Sequence, residues 1–115
     1  MEEQRITYST AKLAKEKGYK EYCKWRYTDF NGITELQKGA SELFPAAPTQ
    51  SLLQKWLREV HEIDIDVDRG GVRNDWYIGW RKFGYKYHRG PYTKPFTNYE
   101  EALEVGLKEA LKLVP

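Results

Sequence analysis

Apolar and polar residues change period several times along the chain, and each change marks an element. In "TQSLLQKWLREVH" Leu52, Leu53, Trp56, Leu57 and Val60 recur at helical spacing, while Gln54, Lys55, Arg58 and Glu59 face away. This predicts a helix over 49–60 with Thr49 as its cap; Ser51 with Gln54 offers an alternative capping box. In "EIDIDVD" the period drops to two: Ile63, Ile65 and Val67 alternate with Asp64, Asp66 and Asp68, the pattern of a half-buried strand. "RGGVRND" turns the chain, and "WYIGWR" repeats the alternation with Trp76, Ile78 and Trp80 on the core side. The register slips at "KFG", as at a tight turn or bulge, and a third strand is expected to resume with Tyr85 and Tyr87.

The last segment, "TNYEEALEVGLKEALKLVP", returns to helical spacing over 98–113. Tyr99, Ala102, Leu103, Gly106, Leu107, Ala110 and Val114 fall on one side, and Thr97 with Glu100 is spaced as a capping box. Glutamates open this helix and lysines close it, in the sense the helix dipole favours. Gly106 costs about 1 kcal/mol against Ala in a helix interior, so its place on the apolar side predicts close packing, here over a sheet aromatic.

The first 48 residues are patterned more weakly. "STAKLAKEKGY" predicts a two-turn helix capped by Ser9 or Thr10, with Ala11, Leu13 and Ala14 as its apolar side and Gly18 ending it in a left-handed conformation. "EYCKWRY" alternates, with Cys23, Trp25 and Tyr27 opposite Tyr22, Lys24 and Arg26, and the Asn31-Gly32 pair predicts a hairpin returning through Ile33 to Leu36. Pro45 and Pro48 make "LFPAAPTQ" a stiff connector. The expectation is one α+β domain over 1–115. An antiparallel sheet of three or more strands carries helices on one face, ordered helix-strand-strand-strand-helix over 49–114, with an added helix and hairpin over 1–48.

Composition narrows the class. Four Trp, nine Tyr and four Phe among 115 residues exclude a disordered chain, and one core is expected at this length. Nineteen basic and seventeen acidic residues leave a net charge of +2, so attraction to a charged partner must come from how the charges are arranged. Cys23 is the one cysteine and has no disulfide partner within the chain. "MEEQR" lacks the pattern of a signal peptide, and no apolar run reaches the ~18 residues of a membrane helix; the expected compartment is the cytoplasm.

Candidate chemistry is sparse. Asp64, Asp66, Asp68 and Asp75 match the spacing of a calcium loop, but Arg69 stands where that loop turns on Gly, and Ile65 and Val67 belong to a strand. His61 lies in the last turn of its helix, where the dipole favours an imidazolium. Cys23, sharing a strand face with Trp25 and Tyr27, reads as a buried inert thiol. No phosphate loop, paired metal-ligand spacing or acid and base pair is present, so the expectation is a non-enzymatic protein without metal, cofactor or small-molecule ligand.

What remains is "WYIGWRKFGYKYHRGPY", with seven aromatic rings, four Arg or Lys and no acid. Rings that stack on bases beside cations that meet phosphates are the ingredients of single-strand binding. The same residues can anchor a protein interface, where Tyr and Arg are favoured. Because Asp64, Asp66 and Asp68 should share the solvent face with Tyr77 and Arg81, the surface is expected to be mixed in charge and to meet a protein partner or a second copy as a homodimer; nucleic acid is the alternative. The expected contact residues are Tyr77, Arg81, Tyr85, Lys86, His88, Arg89 and Tyr92.

Three resemblances accompany this reading. Residues 49–114 are similar in topology to a double-stranded-RNA-binding domain, but "NYEEALE" stands where that family has lysines. "WYIGWRKFGYKYHRG" followed by "FTNYEEAL" resembles the end of the small amino-terminal domains of phage and transposon integrases, which would make Trp80, Arg81 and Lys86 the sheet-face residues. "STAKLAKEKGY", "APTQSLLQKWLREVH" and "YEEALEVGLKEALKLV", in that order, resemble small uncharacterised proteins of bacteriophages and bacterial mobile elements. That last resemblance implies a setting and a protein-binding role, not an activity.

Overall fold

The computed structural model describes residues 4–21, 23–70, 75–90 and 96–115. Its elements are α1 (Tyr8–Glu16), β1 (Trp25–Phe30), β2 (Ile33–Lys38), α2 (Gln50–His61), β3 (Ile63–Gly70), β4 (Asp75–Lys82), β5 (His88–Gly90) and α3 (Tyr99–Leu111). This is an α+β fold with two antiparallel sheets, a β1-β2 hairpin and a β3-β4-β5 meander.

The change of period after residue 61 is an abrupt corner. Glu62 closes α2 in the left-handed region at φ 56°, and Ile63 opens β3 at the next residue. The Thr49 side chain accepts from the Leu52 N–H as the expected cap. Across the meander Ile65 faces Trp80 and Val67 faces Ile78, so the apolar residues of both strands share the inner face. α3 packs on that face against β3 and β4, and α2 lies against β3 and α3. Ile63, Ile65, Ile78, Leu53, Leu57, Leu103 and Leu107 are all buried there. Of the expected inward rings, Trp76 and Trp80 flank Ile78 and are only half-buried.

Several local expectations shift. α1 is capped by Thr7, whose side chain accepts from the Thr10 N–H, and not by Ser9 or Thr10; Gly18 does take the left-handed conformation, at φ 95°. The first strand begins at Trp25, so Cys23 precedes it, half-buried, with its thiol directed at the Trp25 carbonyl at 3.0 Å. Tyr22 lies outside the described residues. The Asn31-Gly32 turn is as expected, both residues having positive φ, 52° and 79°, which matches the twist of a two-residue hairpin.

α2 buries a narrower face than its apolar stripe suggests. Leu52 and Val60 are exposed, while Gln50 is buried because its amide donates to the Glu100 carbonyl at 2.9 Å and to Glu104 Oε1 at 3.0 Å. Gln54, expected to face away, donates to the Ile65 carbonyl at 3.0 Å on the edge of β3. α3 is capped by Asn98, which accepts from the Glu101 N–H at 2.8 Å, one residue beyond the expected box. Gly106 meets Ile78 and Ile65, aliphatic side chains and not a sheet aromatic.

Candidate interaction surface

β-strand alternation puts Asp64, Asp66 and Asp68 of β3 on the outer face of the meander together with Tyr77, Gly79 and Arg81 of β4 and Arg89 of β5. Asp64 stands directly opposite Arg81, Asp66 opposite Gly79 and Asp68 opposite Tyr77, and Gly79 faces Arg89 on its other side. The three aspartates, Arg81 and Arg89 are exposed, and among the described residues the helices pack on the other face. Opposite charges set directly across neighbouring strands support each other by a few tenths to about 1 kcal/mol, and Asp64 and Arg81 stand in that relation.

The third strand does not resume where the alternation suggested. Its ladder with β4 runs over His88–Gly90, with an isolated bridge from Phe96 to Trp76 further on, because the chain turns through Phe83 and Gly84, the latter at φ 84°, and the Tyr85 N–H closes the turn on the Lys82 carbonyl at 2.9 Å. Tyr87 therefore crosses the outer face instead of joining the ladder. Its phenol lies over Gly79, where even a methyl group would come within 1.8 Å of the hydroxyl oxygen. Burial raises the Tyr87 pKa, and Asp66 and Asp68 raise it further, against smaller opposing effects of Arg89 and Arg81. All four charges act on that one hydroxyl. The Arg89 guanidinium lies 5.4 Å from the centre of the Tyr77 ring.

The seven expected contact residues thus divide. Tyr77, Arg81 and Arg89 come together on the outer face. Tyr85 and Lys86 sit at the exposed turn next to Phe83, with the Lys82 ammonium 5.5 Å over the Tyr85 ring. His88 belongs to the opposite face: it pairs with Trp80 and its ring stacks on that indole, centroids 5.6 Å apart and planes 18° from parallel. Tyr92 lies outside the described residues. Phe83 and Tyr87, which the sequence reading did not select, belong to the surface by exposure and position.

No protein-family model, curated protein or solved structure matches the chain. The chemistry of the surface therefore rests on its geometry. Asp64, Asp66 and Asp68 follow one another at two-residue steps of about 6.7 Å along an extended strand, too far apart to close on one cation. Among the described residues no group of three or more His, Cys, Asp or Glu side chains converges as metal ligands. A cleft of about 430 Å³ lies elsewhere, between Lys15, Tyr19 and Lys20 on one side and Arg26, Glu42 and Ala46 on the other, and the Arg26 guanidinium there is engaged by the Phe44 carbonyl at 2.8 Å. Among the described residues no helix is long and apolar enough to cross a membrane.

His61 departs from its expected role. Its pKa is lowered, by burial first and then by Lys82, so its surroundings disfavour the imidazolium; the ring packs edge-on against Trp56, centroids 4.7 Å apart.

Sequence reasoning also missed Glu104. Its Oε2 accepts from the Thr7 N–H at 2.9 Å, the Thr7 hydroxyl at 2.8 Å and the Thr10 hydroxyl at 2.5 Å, while Oε1 accepts from Gln50. One carboxylate thereby joins α1, α2 and α3. The available signal was its place at the border of the apolar arc, beside Leu107 and Leu111.

Proposed function

We propose that this is a small non-enzymatic cytoplasmic protein that binds another protein through the outer face of the meander and the turn beside it. The observation that supports this reading is the interspersed placing of acids and bases on that face, Asp64 opposite Arg81 and Asp66 across Gly79 from Arg89, with Tyr77 and Tyr87 among them. A phosphate backbone laid over β4 and β5 would meet three carboxylates on β3, whereas a protein surface of complementary mixed charge is steered and oriented by such a pattern. Tyr77, Tyr87 and the exposed Phe83 and Tyr85 supply the apolar area of the contact. The setting implied by the resemblance to phage and mobile-element proteins accords with this role.

The test compares proteins captured from an extract of the source organism by the wild-type chain and by Tyr77→Ala and Arg81→Glu variants that keep the wild-type circular dichroism spectrum. A partner retained by the wild type and lost by both variants is the expected result. Partners indifferent to both substitutions would refute this surface. Titration with single- and double-stranded DNA and RNA at two salt concentrations decides the rival reading, because affinity from phosphate contacts falls steeply with salt.

A further inference from the structure

The two edges of the β1-β2 hairpin are not alike. The outer edge of β1 is covered by the connector, the Tyr27 N–H donating to the Pro45 carbonyl and the Ala47 N–H to the Trp25 carbonyl, each at 2.9 Å. On β2 the two-residue turn makes Phe30 and Ile33 a hydrogen-bonded pair. Alternation then aims the backbone of Ile33, Glu35 and Gln37 at β1 and that of Thr34, Leu36 and Lys38 outward. The Gly39 N–H donating to the Lys24 carbonyl at 2.8 Å continues the same phase. Among the described residues no backbone group pairs with the outward set. Every residue of β2 is exposed, Ile33 at 63% and Leu36 at 40%, and the strand has neither proline nor bulge to blunt its edge.

We infer that β2 pairs antiparallel with β2 of a second copy, joining two hairpins into one four-stranded sheet about a twofold axis. Such an axis, perpendicular to the sheet, must pass between a residue and its own copy. Only registers centred on Glu35 or Leu36 overlap five of the six β2 residues, and the first sets carboxylate against carboxylate. The Leu36 register has no like charges opposed. It places Leu36 against the second copy's Leu36, Thr34 against its Lys38 and Glu35 against its Gln37.

Charge complementarity extends to the outer strands. Thr28 pairs with Glu35 and Arg26 with Gln37 within each hairpin, so the row running through Glu35 ends on the second copy's Arg26. The row through Thr34 begins at Asp29 and crosses to the second copy's Lys38, and the central row is apolar, with Tyr27 and Leu36 from each copy. This edge shares no residue with the outer face of the meander, so either can fail without the other.

Sedimentation equilibrium of the full chain should show a monomer–dimer equilibrium. Thr34→Pro removes an outward N–H and spares the hairpin ladder, and Leu36→Arg sets like charges across the axis. Each should weaken the dimer by about tenfold or more with the circular dichroism spectrum unchanged. In a Cys23→Ser background, Leu36→Cys should cross-link two copies under mild oxidation, since residues facing each other as a hydrogen-bonded pair lie about 5.5 Å apart between Cα atoms. Ile33→Cys should not, because in this register the two copies of that position are about 20 Å apart. A chain that stays monomeric at every soluble concentration, a dimer indifferent to both edge substitutions, or equal cross-linking from both positions would overturn the inference.

Discussion

Gly106 of α3 and Ile78 of β4 hold the helix and the sheet at a separation that no side chain at position 106 can share. A Cβ there would lie 2.5 Å from Ile78 Cγ1, 2.6 Å from its Cδ1 and 3.0 Å from Ile65 Cγ2. Ordinary carbon contacts fall at about 3.5–4.0 Å. Gly106→Ala gains about 1 kcal/mol of helix propensity and meets an overpacking cost of about 1–3 kcal/mol, so a net loss of stability is expected. Urea denaturation measures it, and Ile78→Ala, which removes both near atoms, should make the double variant less unstable than the sum of the two single changes. A Gly106→Ala protein more stable than the wild type would contradict this packing.

Glu104 ties three helices through four donors, two of them from the buried Thr10 and Gln50. Removing the carboxylate takes away all four of these bonds: Gln50 keeps only the Glu100 carbonyl, and the buried Thr10 hydroxyl keeps only its longer contact with the Thr7 hydroxyl, at 3.2 Å. Glu104→Ala should therefore cost about 2–4 kcal/mol, and Glu104→Gln less, because it keeps one acceptor oxygen. Chemical denaturation of the two variants checks the order; a loss below about 0.5 kcal/mol for the alanine, the size of a typical surface change, would show the tie to be slight.

The parts of the fold legible in the sequence are those set by local periodicity. The switch from Leu53, Trp56 and Leu57 to Ile63 and Ile65 marked both α2 and β3, and the alternating aspartates gave the outer face its charge pattern. Position 106 was legible as a close approach, but not its neighbour, since a helix pattern does not say which strand residue lies beneath it. The spacing of Tyr87 from Tyr85 mimics a strand and predicts a place in the ladder; the turn at Gly84 swings it across the sheet instead. The sequence predicts a surface contact for His88 because nothing local fixes the face of a three-residue strand. Pairing with Trp80 decides it. Leu52 and Val60 looked like core because periodicity counts apolar residues, while the buried width of α2 is set by α3 and by the amide of Gln50.

The lowered pKa of His61 gives the fold a pH dependence opposite to that of a charge-stabilised helix end. Burial against Trp56 and the nearby Lys82 both disfavour the imidazolium in the folded state, so the unfolded chain takes up this proton first as pH falls. Stability from this group is thus fully present above the ordinary pKa of 6.5 and is lost as pH falls through the lower folded value. His61→Phe keeps a ring against Trp56 and removes the titration. The difference in thermal stability between wild type and variant should shift against the wild type from pH 7 to pH 5, and the imidazole resonances of His61 should titrate below 6.5. A midpoint above that value, with the wild type gaining on the variant in acid, would mean that the helix dipole outweighs burial at this site.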